Sequence, residues 1–282
     1  MNKFKIYFLG CIALIAYSSC GTLVAPTYQY GPALYGRDIS YQPKPLSSDS
    51  VHHANYASIS FNSGEAPNST NSSDGIKNAQ INIGQGFTFD HLNLSYAAFG
   101  DLGTYNNHSV LESAEPNYFN SKSFGNIGGR FSVNTFVTSG NVDIRFIGFE
   151  MAYSHEFGSY AVYRKFLEGQ PYYTVTSQTD LATLDSHPNY YINSQTDLVT
   201  LGGTSEVTWR SAHQPLQFGF RLFIGAQVLN DNFYKNAYAP SGNHLPIASP
   251  SSLAYFMQVK HYYFVGEVST TFAGQLTAGV RF

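Results

Sequence analysis

The chain has 282 residues, with 15 Lys and Arg against 18 Asp and Glu and a formal charge of −3. Charged residues make up only 12% of it, well under the usual share of about 25%, while 22 Tyr and 22 Phe help bring the aromatics to 16%. This balance excludes a basic nucleic-acid binder and a disordered chain. Outside the first 20 residues no apolar run approaches the roughly 20 residues of a transmembrane helix. An all-β body is what remains.

The N-terminus carries the parts of an export signal. Lys3 and Lys5 precede an apolar stretch, Ile6 to Ala16, long enough for a signal core and too short to span a bilayer. Residues 1–19 are therefore expected to be a signal peptide. Tyr17, Ser18 and Ser19 then lead into Cys20. This arrangement resembles the lipobox of bacterial lipoproteins, with Tyr17 where Leu is usual. The resemblance implies that the Cys20 thiol is acylated and becomes the mature N-terminus; ordinary signal cleavage nearby is the alternative. Cys11 falls in the discarded segment, so the mature chain has no internal disulfide. No acidic cluster follows Cys20, which favours an anchor on the periplasmic side. Residues 20–50, with Pro26, Pro32, Pro43 and Pro45 among tyrosines, read as a lipidated, extended tether.

From residue 51 to residue 282 the apolar residues recur every second position, the period of a strand. Ala79, Ile81, Ile83, Phe87 and Phe89 share one face and Gln80, Asn82, Gly84, Gly86 and Thr88 the other. Leu92, Leu94, Tyr96 and Ala98 follow after Asp90 and His91, which reads as a tight hairpin. Ile127, Phe131, Val133 and Val137 alternate with Gly128, Arg130, Ser132 and Asn134, and Leu216 to Val228 repeat the pattern. Strands are expected near 53–63, 77–89, 92–100, 123–138, 142–166, 196–212, 216–228, 252–259, 262–271 and 275–282. The count is ten, with eight or twelve as alternatives. Two places are irregular. The apolar register slips between Phe146 and Phe149, as at a bulge, and the turn at Lys260 and His261 has neither Gly nor Pro.

The connections alternate between short turns and long polar loops, as in outer-membrane barrels. The polar face of the strands is rich in Asn, Gln, Ser, Thr and Gly instead of the Lys and Glu of a soluble surface. A closed barrel with a lipid-facing apolar band and an enclosed polar lumen accounts for both faces; a soluble lipoprotein barrel is the alternative. At the end of the chain Leu276, Ala278, Val280 and the terminal Phe282 alternate with Gln275, Thr277, Gly279 and Arg281. This resembles the C-terminal β-signal by which outer-membrane β-barrel proteins of Gram-negative bacteria are recognised for insertion. The resemblance implies a closed, antiparallel, up-and-down transmembrane barrel in the bacterial outer membrane, in contact with its lipids and with the barrel-insertion machinery.

Arg130, Asp143, Arg145, Glu206, Arg210, Arg221, Glu267 and Arg281 fall on the polar face, where burial demands pairing. They are expected to form a structural network that fills a narrow lumen, the alternative being an ion-selective constriction. Ser154, His155 and Glu156 are consecutive, and neighbours on a strand point to opposite faces, so they do not make a catalytic triad. Neither a metal site nor a cofactor site is legible. In the loop 167–195, Ser177-Gln178-Thr179-Asp180-Leu181 recurs as Ser194-Gln195-Thr196-Asp197-Leu198, each copy preceded by a tyrosine pair, Tyr172-Tyr173 and Tyr190-Tyr191. These tyrosines offer a partner-binding surface; a slipped repeat tolerated in a loop is the plainer reading. The functional expectation is a non-catalytic structural or partner-binding subunit of an outer-membrane assembly, with a small transport pore and a barrel hydrolase as the other classes.

Overall fold

A computed structural model describes residues 28–34, 36–45, 52–66, 74–107, 120–168, 191–192, 194–211, 215–228, 250–270 and 272–282. Within them, two short strands, β1 (Tyr28–Tyr30) and β7 (Tyr191–Ile192), pair in parallel. The other ten close into one barrel: β2 (His53–Glu65), β3 (Gly75–Thr88), β4 (Leu92–Asn106), β5 (Ser121–Ser139), β6 (Val142–Phe157), β8 (Asp197–Arg210), β9 (Leu216–Val228), β10 (Ser251–Val259), β11 (Tyr262–Ser269) and β12 (Phe272–Arg281). Each pairs antiparallel with its neighbours along the chain, and β12 closes the ring on β2 from Gly274↔Ser63 to Arg281↔Tyr56. The protein is thus an all-β, closed, ten-stranded antiparallel barrel. Among the described residues no helix is long and apolar enough to cross a membrane; the crossing elements are strands.

Period two is realised as two chemically distinct faces. Outward residues are large and bare: Ile83, Leu102, Ile127 and Phe220 are exposed, Ile147 is 73% exposed and Leu276 70%. A water-soluble barrel would turn such residues inward, so this belt is the hydrocarbon-facing surface. Leu276, Ala278, Val280 and Phe282 all lie on that outer face. Aromatics gather near its short-turn margin, where Trp209 stacks on Phe218 at 5.6 Å and meets Phe220 edge-on at 6.1 Å, as expected of an interfacial girdle.

The strand predicted over 142–166 ends at Phe157. Gly158 takes a φ of +107°, open to a residue without Cβ, and turns the chain into α1 (Ser159–Glu168). The predicted slip in β6 is a bulge: its register breaks against β8 between Arg145 and Gly148. Phe146 and Ile147 both face outward there, which reverses the parity of the rest of the strand. At the β10–β11 turn Lys260 itself adopts the left-handed conformation, φ 55°. β4 runs on to Asn106, past the predicted end at residue 100.

The largest difference from expectation lies before the barrel. Residues 31–34 and 36–45, read as part of a tether, do run without regular structure, but inside the lumen. Ala33, Leu34, Arg37, Asp38, Ile39, Ser40, Tyr41, Gln42 and Lys44 are all buried. A turn closed by Arg37 N–H donating to the Leu34 carbonyl at 2.8 Å, with Gly36 at φ 69°, fits the segment to the bore.

Candidate functional site

The site is the lumen with its occupant, and it is layered along the barrel axis. At the long-loop end α1 lies over the opening. Tyr160 stacks on Tyr105 at 4.2 Å and donates its hydroxyl to the Gly31 carbonyl at 2.9 Å. Burial pushes its phenol well above the ordinary tyrosine range, so it stays a neutral donor. Arg164 pairs with Glu156, whose other oxygen accepts the Ala33 N–H at 2.7 Å. Below this, Asp101 accepts from Asn126 at 2.9 Å and from Asn78, and Leu34 packs with Phe99 and Leu198.

The middle layers grip the occupant from all sides. Thr200 donates to Asp38, with 2.7 Å to the nearer oxygen. Arg130 donates to the Asp38 carbonyl, to Asn82 at 2.6 Å and to Gln80 at 2.8 Å, and lies over the Phe99 ring at 4.2 Å. Ile39 packs on Ala152 and Phe223. Arg221, with no exposed surface, joins Glu150 to Glu267, the latter at 3.3 Å. Glu150 also lies 3.8 Å from Lys44, and Glu267 accepts the Tyr41 N–H at 3.3 Å. Tyr41 stacks on Phe256 at 4.3 Å. Nearest the short turns, Arg145 pairs with Glu206, Thr138 donates to Asp143 at 2.7 Å, and the Pro45 carbonyl accepts from Thr88 at 2.7 Å. One cavity beside the segment, lined by Tyr41, Gln42, Tyr56, Asn82, Gly84 and Arg130, measures about 30 Å³, room for roughly two waters.

Six of the eight polar-face charges expected from sequence are buried here: Arg130, Asp143, Arg145, Glu206, Arg221 and Glu267. Arg210 and Arg281 are half-buried at the short-turn rim. Sequence reasoning missed Asp101, Glu150 and Glu156 in the wall, Arg164 on α1, and Arg37, Asp38 and Lys44 in the occupant. Continuing the alternation of β4 past residue 100 reaches Asp101, and carrying the parity change at Phe146 through β6 reaches Glu150 and Glu156. Ser154 and Glu156 face inward while His155 faces outward, 3.0 Å from Asp197, so these three do not converge. Cys20, Tyr172, Tyr173 and Tyr190 lie outside the described residues, and of Tyr191 only its place in β7 is described.

No protein-family model matches the sequence, and no curated protein matches it. Solved structures of low similarity include the following. The translocator domain of the autotransporter NalP from Neisseria meningitidis has a TM-score of 0.38 at 7% identity, over 84% of this chain and 91% of that one. OprG from Pseudomonas aeruginosa gives 0.35 at 7%, over 82% and 94%. An outer membrane channel from Pseudomonas putida F1 gives 0.34 at 7%, over 86% and 100%. The closed ring, apolar exterior and polar interior define the class: this chain is a transmembrane-type β-barrel.

Proposed function

We propose that the protein acts as a self-plugged barrel, a non-catalytic structural or partner-binding subunit that works from its long-loop rim and is held in the outer membrane by its wall and by acyl chains on Cys20. The observation that supports this reading is the lumen, occupied by the protein's own chain over residues 31–34 and 36–45, which charged and hydrogen-bonded partners on many strands hold in place. A bore filled this way has no solute path and leaves the rim as the roomy surface. No converging nucleophile, base and acid is present among the described residues, and the buried charges of the bore are held by ion pairs or by hydrogen bonds to amides, hydroxyls and backbone carbonyls.

Reconstitution tests the reading. The intact protein should give no steady conductance in planar bilayers, and native protein solubilised in mild detergent should bring a stoichiometric partner with it. Removal of Gly31–Pro45 should open a cation-selective path, because the described residues around the bore, in the strands, α1 and the approach to β3, bury Arg130, Arg145, Arg164 and Arg221 against Asp74, Asp101, Asp143, Glu150, Glu156, Glu206 and Glu267. Steady conductance by the intact chain, with nothing co-purifying, would overturn the proposal in favour of a small transport pore.

A further inference from the structure

The occupant of the lumen has a direction, and the direction has a topological consequence. β1 pairs with β7, only a few residues ahead of Asp197, where β8 begins at the long-loop end. The contacts then step down the bore in sequence order. Gly31 meets Tyr160 of α1 and Ala33 meets Glu156, both at the long-loop mouth. Asp38 meets Thr200 in the upper bore and Tyr41 meets Glu267 below it. Pro45 meets Thr88, beside the short turn at Asp90 and His91. His53 opens β2 at that same short-turn end, with Thr88 N–H donating to the His52 carbonyl at 2.8 Å. The chain therefore crosses the full height of its own barrel once before the wall begins.

A segment that crosses inside the bore leaves its two flanks on opposite sides of the membrane. Long loops face outward and short turns face the periplasm in barrels of this kind. We infer that the barrel displays its own N-terminal region at the cell surface: the chain before Tyr28 emerges on the outer face, while the junction between Pro45 and His52 stays periplasmic. The inference goes beyond the plugged-barrel reading, since it requires neither a partner nor a closed bore. It also reverses the side expected from the residues after Cys20. Cys20 precedes Tyr28 by eight residues, a reach of about 28 Å at full extension, so an acyl anchor there is tied to the outer leaflet, not the periplasmic one.

Epitope insertion at two positions tests the crossing. One short epitope is placed between Ala25 and Pro26, and in a separate variant the same epitope is placed between Ser47 and Ser48; heat-modifiable gel mobility reports that each barrel has formed. Antibody should bind the first in intact cells as strongly as in permeabilised cells, and the second only after permeabilisation. Binding to the first only after permeabilisation, or to the second in intact cells, would overturn the inference. If either insertion prevents barrel formation, Thr27→Cys and Ser47→Cys labelled with a membrane-impermeant maleimide are read in the same way. The conductance and co-purification results do not bear on this outcome, so the two proposals fail separately.

Discussion

Arg221 and Leu222 are neighbours in β9, yet they live in different solvents. Arg221 faces inward with no exposed surface and bridges two carboxylates; Leu222 faces out from the same strand towards hydrocarbon. The inner face is held by pairing, in which each charge is tolerated because a specific partner stands opposite it. The outer face is held by the bulk property of being apolar, and one aliphatic residue there does much the same as another. Identical backbone geometry thus carries two kinds of specification, and substitutions on the two faces should fail for different reasons.

The largest effect is expected from Arg221→Ala, which leaves Glu150 and Glu267 facing each other in the bore without their shared cation. Removing one partner of a buried pair costs about 3–5 kcal/mol, and the urea midpoint of the detergent-solubilised barrel should fall accordingly. Adding Glu150→Gln should recover part of the loss, and no recovery would mean that pairing is not what holds this layer. Next comes the outer face: Leu222→Arg should cost on the order of 2–4 kcal/mol near the bilayer midplane, whereas Gln217→Arg, on the inward face of the same strand, should cost about 1 kcal/mol or less. Folded yield after refolding into vesicles measures both, and equal tolerance would contradict a hydrocarbon-facing exterior. The smallest effect tests where the distinction blurs. Ile39→Val removes one methylene from the contact with Ala152 and Phe223, and should lower the urea midpoint by the equivalent of about 0.5–1.5 kcal/mol while barrel insertion stays normal.

The contrast between faces also explains what was legible in the sequence. The ten strands were readable because lipid imposes period two on every one of them. Arg130, Arg145, Glu206, Arg221 and Glu267 were readable because charges falling on the wet face of a lipid-bounded strand must go inward. Residues 31–45 were not, because the bore asks for no period: an irregular polar segment with prolines has the same composition whether it hangs in water or fills a channel. The signal for it lay in the wall, in large apolar residues on the wrong face. Phe99, Phe223 and Phe256 break the polar inner pattern, and each meets an apolar residue of the occupant, Leu34, Ile39 or Tyr41. The strand overrun at residues 158–166 had a different cause. Ser159 to Glu168 is short enough that two apolar residues in step with the strand period hid a helix of under three turns.

The seam between β12 and β2 joins the last strand of the ring to the first. The ring therefore stays open until the chain's final residues are in place, and order in time becomes part of the design. While the seam is open, residues 31–45 can be laid against β3, β5 and β6, where Asn82, Arg130, Glu150 and Glu156 wait for them or beside them, and the wall can then wrap round. Once the seam has zipped, the same arrangement is reachable only by drawing a free end, with whatever is attached to it, lengthwise through a bore of side chains. A barrel closed by its terminal strand is in this sense a clasp, and what it holds is decided before the clasp shuts.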